Sequence, residues 1–66
     1  MTKIDRDYIE LQQLLKKEDI VNSGGEAKIL IKEGNIKVNG EIETRRGRKL
    51  YPNDVVEVGN RKIVIE

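Results

Sequence analysis

The chain has 66 residues, 13 of them basic and 12 acidic, with no cysteine and no histidine. That excludes disulfides, thiolate metal sites and the commonest general base, and a chain so short lacks the bulk to enclose a deep catalytic cleft. Net charge is only +1, and no apolar run approaches membrane-spanning length.

The opening MTKIDRDYIE is charged and lacks the apolar core of a secretory signal, so a cytoplasmic chain is expected. Residues 1–7 read as a frayed start. From Tyr8 the apolar positions 8, 9, 11, 14 and 15 follow helical spacing, with Leu11, Leu14 and Leu15 as the inner stripe. Asp5 or Asp7 is the candidate cap, and Lys16 and Lys17 suit the negative end of the helix dipole. Ile20 and Val21 tuck beneath the connection that follows. SGGEAKILIKEG predicts a second helix: Ser23 and Glu26 match the capping-box pattern, Ala27, Leu30 and Ile31 form its apolar stripe, and Gly34 is a left-handed stop.

From Asn35 the period changes to two. NIKVNGEIE reads as a hairpin around Asn39-Gly40. A two-residue loop would set Ile42 on the face of Lys37, whereas a three-residue loop pairs Ile36 with Ile42 and Lys37 with Glu41. The apolar match favours the three-residue loop, with Gly40 left-handed. YPND is a turn whose φ is set by Pro52, with Asp54 as a local side-chain cap. VVEVGNRKIVIE is a second hairpin with a two-residue Gly59-Asn60 loop pairing Glu57 with Lys62, Val56 with Ile63 and Val55 with Val64. The whole predicts one α+β domain over residues 1–66: two to three short helices packed on one face of a small antiparallel sheet of four to five strands.

The charge is unevenly placed. Residues 1–22, 23–44 and 52–66 each carry one more acid than base, while residues 45–51 carry four bases and no acid. Arg45, Arg46, Arg48 and Lys49 thus hold the whole excess, interrupted only by Gly47, which lets the chain's backbone approach a ligand closely. A run of charge is usually a solvated turn. This one is unbalanced and rich in arginine, whose planar fork binds phosphate bidentately. Four phosphate contacts would give a log–log salt slope of about −3 to −4. Lys28 and Lys32, four apart on one helical face, are either a flanking phosphate row or a solvated face. Ser23, Gly24 and Gly25 open the second helix as either a phosphate cradle or a plain cap, and Glu26 favours the cap by repelling anions. Tyr51, directly after the basic run, either stacks on a base or, as the commoner arrangement, packs on a sheet edge.

Taken in order and spacing, Ser23, Ala27, Ile31, Gly34, Val38-Asn39-Gly40, Arg45 to Lys49, Pro52-Asn53-Asp54 and Val55 to Val58 resemble the S4-like RNA-binding domain, of alpha-L type. Residues 23–58 carry the strongest match. The close version SGGEAK, VNGE and ETRRGRKL is similar to the stand-alone bacterial YaaA or RlbA type. The resemblance implies RNA as the partner, ribosomal or tRNA-like in structure, reached through a basic surface during ribosome assembly or maturation, with no membrane contact. A monomer is expected. Relatives often attach this domain to a larger enzyme, for which this chain has no room. No catalytic residue, cofactor or metal is expected. Two positions depart from the family pattern. Gly24 stands where many members have Arg after the helix-opening Ser, and Glu10 stands where many have Arg at the start of the first helix. Both departures shift weight onto residues 45–49. The competing function class is a protein-interaction adaptor that docks on a ribosomal or other cytoplasmic protein.

Overall fold

The computed structural model describes residues 7–66, so the expected frayed start and the cap at Asp5 lie outside the described residues. Strand β1 (Ile9–Glu10) leads into helix α1 (Leu11–Lys17), and helix α2 (Gly24–Lys32) follows. Then come β2 (Ile36–Val38), β3 (Glu41–Ile42), β4 (Lys49–Leu50), β5 (Val55–Val58) and β6 (Arg61–Val64). One antiparallel sheet has the order β3-β2-β5-β6, and β1 pairs antiparallel with β4 in a second. The α+β class stands, with two helices and two small sheets among the described residues.

The second sheet is a departure from the sequence reading. Tyr8 and Ile9 have helical spacing, yet the helix begins only at Leu11, and Asp7 does not cap it. Glu10 is the N-cap, in extended backbone, and its N–H donates to Gln13 Oε1 at 3.2 Å within a capping box. Ile9 opposes Leu50 and Glu10 opposes Lys49, so a tertiary pairing overrides the local period. The far end of α1 closes in the Schellman pattern. Asp19 sits at φ 58°, its N–H donates to the Lys16 carbonyl at 3.1 Å, and the Ile20 N–H donates to the Leu15 carbonyl at 3.0 Å. Ser23 Oγ caps α2 by accepting the Glu26 N–H at 3.3 Å, and Gly34 ends it at φ 79°.

The core lies between the helices and the larger sheet. Leu11, Leu14 and Leu15 of α1 and Ala27 and Ile31 of α2 are fully enclosed, against Ile36, Val38, Val56 and Ile63 of the strands. Leu30, expected in the stripe, is only partly buried and packs at its margin. The second hairpin has the expected register, with Val56 opposite Ile63 and Glu57 opposite Lys62. YPND also turns as expected. The Asp54 N–H donates to the Tyr51 carbonyl at 3.0 Å, Asp54 Oδ2 accepts the Tyr51 N–H at 2.8 Å, and Asn53 has φ 82°, as a Pro-led type II turn requires.

The first hairpin differs from the expectation. Lys37 opposes Ile42 and Val38 opposes Glu41, so the loop has two residues, not three. Asn39 at φ 52° and Gly40 at φ 86° make the primed turn that Asn-Gly prefers. Turn chemistry outweighs the apolar match of Ile36 with Ile42, and Ile42 is left 61% exposed. Asn39 also ties the turn to β5, since Asn39 Oδ1 accepts the Val55 N–H at 2.9 Å and its Nδ2 donates to Asp54 Oδ1 at 3.1 Å.

Two stability tests follow from this packing. Ile31→Ala should cost about 2–5 kcal/mol, a large share of the stability of so small a domain, and Leu30→Ala clearly less. Urea unfolding midpoints compare them; equal losses would mean the stripe is drawn at the wrong edge. Gly40→Val places a β-branched residue at positive φ and should cost about 1–3 kcal/mol with no core contact removed. An unchanged midpoint would refute the primed turn.

Candidate nucleic-acid interface

The basic loop, residues 45–49, follows directly from the hairpin register. Side chains opposite one another in an antiparallel pair share a face. The ladder continues one step past β3, with the Glu43 N–H donating to the Ile36 carbonyl at 2.9 Å. Ile36 points into the core, so Glu43 turns inward with it and becomes, among the described residues, the one buried charged side chain, 6% exposed.

A buried carboxylate demands partners. The Glu43 carboxylate accepts the backbone N–H groups of Thr44 and Arg45, each at 3.1 Å. Arg45 grips it bidentately, Nε to Oε2 at 3.0 Å and Nη2 to Oε1 at 3.1 Å, and Arg48 Nη1 reaches Oε1 at 2.7 Å. The hydrogen bond from Arg45, aided by Arg48 and opposed by burial, holds the Glu43 carboxyl at about 2, down from the ordinary 4.5. The same contact raises the Arg45 guanidinium above its ordinary value. The expectation that no acid balances the basic run is therefore corrected. The acid stands two residues before Arg45, just outside the charged segment, and the wrong hairpin register had turned it towards solvent.

The two arginines differ in access. The Arg45 side chain is 73% exposed while that of Arg48 is 33% exposed. Arg46 and Lys49 are exposed, and neither forms an ion pair among the described residues. The loop backbone is fixed as well. The first N–H groups of a helix lack partners within it. Here the Leu11 N–H donates to the Arg48 carbonyl at 2.9 Å and the Gln12 N–H to the Arg46 carbonyl at 3.0 Å. The loop carbonyls thus close the start of α1, while Arg46 and Lys49 stay exposed and Arg45 and Arg48 turn to Glu43. Gly47 sits at the exposed tip, where an added Cβ would meet nothing within 4 Å, so packing within the fold does not demand glycine there. Arg45, Gly47, Arg48 and Lys49 line an open hollow of about 500 Å³.

Tyr51 packs against Tyr8, next to the β1–β4 pair. Its ring lies 6.0 Å from that of Tyr8 at 47°, and the Lys49 ammonium sits 5.0 Å from the Tyr8 ring centre. Lys28 and Lys32 are exposed on α2, which packs against α1. No hydrogen bond or ion pair among the described residues ties either lysine to the loop. Ser23 Oγ is engaged as the cap, and Gly24 and Gly25 form the first turn of α2 beside the acidic Glu26. Sequence reasoning found the cations but missed Glu43 and Tyr8. The signal for Glu43 was the Asn-Gly dipeptide, whose preferred two-residue turn sets the parity that buries it.

Glu43 gives this site a pH signature. Its carboxyl has a depressed value in the folded chain, so its stabilisation is fully present above pH 4.5 and fades as pH falls through about 2. Glu43→Gln should destabilise by about 1–3 kcal/mol near neutral pH, the range for charged hydrogen bonds. The gap to the wild type should close as pH falls from 4.5 to 2. Chemical unfolding of both proteins across that interval checks it; a constant gap would show that the carboxylate is not the group responsible.

Comparison with known proteins agrees with this architecture. The S4 domain family matches residues 2–66. The Bacillus subtilis (strain 168) protein named "Probable ribosome maturation protein RlbA" is 51% identical over 55 residues, spanning 83% of this chain and 78% of that protein. YbcJ of Escherichia coli (strain K12) is 38% identical over 58 residues, 88% of this chain and 83% of that protein. The solution structure of E. coli YbcJ, described as revealing an AlfaL motif involved in RNA-binding, superposes with a TM-score of 0.70 at 34% identity, over 96% of this chain and 81% of that one. With the family matched over residues 2–66 and the Bacillus subtilis relative 51% identical, the chain belongs to the S4 domain family.

Proposed function

We propose that this chain is a non-catalytic RNA-binding protein that contacts structured ribosomal RNA through its basic loop during ribosome assembly or maturation. It acts as a cytoplasmic monomer in this reading. The observation that carries the proposal is the loop itself. Its backbone is fixed by α1, β1 and Glu43, while Arg45, Arg46 and Lys49 are exposed and Arg48 is partly so. The relative named for ribosome maturation and the YbcJ structure described as RNA-binding support the same partner class. Arg46 and Lys49, without an ion pair among the described residues, are the main phosphate contacts, and Arg45 and Arg48 contribute the donors not engaged by Glu43. Lys28 and Lys32 form a flanking row. Ser23, Gly24 and Gly25 open α2 beside Glu26, which disfavours a phosphate there. The adaptor reading retains one supporting observation, the exposure of Ile29 and Ile42 at 61% each.

Salt separates the two readings. With Glu43 neutralising part of the loop, the log–log slope for ribosomal RNA should be about −2 to −3, shallower than four free cations would give. Arg46→Ala/Lys49→Ala should weaken binding to many RNAs alike and reduce the slope by about one to two units, since phosphates carry no sequence information. Arg45→Ala and Arg48→Ala are poorer probes because each leaves the buried Glu43 short of a partner. Binding titrations at several salt concentrations test this. If the folded double variant binds as tightly and with the same slope, the clamp lies elsewhere on the chain; if the wild type shows no salt-dependent RNA binding, the adaptor reading prevails.

A further inference from the structure

The two tyrosines are the only aromatic side chains in the 66-residue sequence, and the fold puts them together. They lie 43 positions apart in the numbering, and the pairing of β1 with β4 is what joins them. Ile9 opposes Leu50 and Glu10 opposes Lys49, so one further step of the same register sets Tyr8 opposite Tyr51. Leu50 points into the core, which sends its neighbours Lys49 and Tyr51 to the outer face. Tyr51 remains 47% exposed, and its backbone is held on both sides by Asp54.

From this juxtaposition we infer that Tyr51, backed by Tyr8 and flanked by Lys49, is a stacking platform for one unpaired nucleobase whose neighbouring phosphates lie on the basic loop. The inference rests on the RNA-binding reading and adds a preference to it. Phosphate contacts alone do not distinguish paired from unpaired RNA, whereas a ring face accepts only a base that has left its stack. Lys49 at 5.0 Å from the Tyr8 ring centre does two things. It helps fix Tyr8 behind Tyr51, and it places a cation where the phosphate of a stacked nucleotide would run. Tyr8 is a positioning residue, and Tyr51 is the residue that touches the base. A core role does not account for an aromatic left half exposed on the outer face beside four cations.

The experiment uses the full chain and two RNA hairpins of equal length, one with a single bulged adenine and one fully paired. The variants are Tyr51→Leu, which keeps apolar bulk but has no ring face, Tyr51→Phe, and Tyr8→Phe. The wild type should prefer the bulged hairpin. Tyr51→Leu should bind that hairpin roughly 5- to 150-fold more weakly, the range for losing one base–aromatic stack, with the paired hairpin and the salt slope unchanged. Tyr51→Phe should match the wild type. The chain has no tryptophan, so in Tyr8→Phe the ultraviolet emission comes from Tyr51 alone, and the bulged hairpin should quench it. If Tyr51→Leu binds both hairpins like the wild type, or loses both equally, the platform is overturned while a steep salt slope leaves the phosphate clamp standing. If the wild type binds neither hairpin, both fall together.

Discussion

The buried carboxylate of Glu43 is the interaction on which the functional loop depends. Arg45, Arg46 and Arg48 crowd three guanidinium groups into four positions, and like charges so close would push the segment open. Burying a carboxylate is itself costly, and an ion pair alone seldom offsets that cost. Here two backbone N–H groups and three guanidinium contacts converge on the two oxygens. Among the described residues no buried side-chain nitrogen or oxygen is left without a partner. The carboxylate therefore stays charged, and the segment carrying the chain's positive excess is held closed by a single inward acid.

That acid is inward only because of a turn three residues upstream. Asn39 and Gly40 both adopt positive φ, the loop has two residues, and the parity of every later position is set. A longer loop would bury Ile42 and expose Glu43. The exposed Ile42 is thus the physical counterpart of the buried Glu43. The sheet forgoes one apolar contact, and the loop gains its counter-ion. Asn39 reinforces the choice by bonding to Val55 and Asp54 across the sheet, which makes the turn part of the tertiary structure rather than a free tip.

What the sequence made legible were features decided locally. The stripe of Leu11, Leu14 and Leu15, the Ser23 cap, the Gly34 stop and the Gly59-Asn60 hairpin each rest on residues within a few positions of one another. The misses were decided at a distance or by competing local signals. The β1 to β4 pairing joins two-residue strands far apart in the chain, too short for any period to reveal. In the first hairpin, apolar matching and turn chemistry pointed to different registers, and the turn won. The site divides in the same way. Composition alone located Arg45, Arg46, Arg48 and Lys49, but their partners Glu43, Tyr8 and the first turn of α1 became visible only in three dimensions.

A counter-ion inside a loop proposed to bind phosphate looks self-defeating, since it removes one of the loop's charges. The donor geometry resolves this. A guanidinium carries five N–H donors. Arg45 commits Nε and Nη2 to Glu43 and Arg48 commits Nη1, so both keep donors for a ligand. A free arginine on a glycine-bearing loop would have to be ordered as it binds, at a cost on the order of 1 kcal/mol per flexible side chain. Glu43 orders the two residues in the folded chain beforehand. The long-range field is weaker by one charge, which lowers steering and salt sensitivity, while each contact that forms loses less conformational freedom. Arg46 and Lys49, which form no ion pair among the described residues, would in the proposed reading supply the charge that attracts RNA from a distance. The loop thereby combines an attracting pair with a positioning pair, and that division follows from where one Asn-Gly turn points one glutamate.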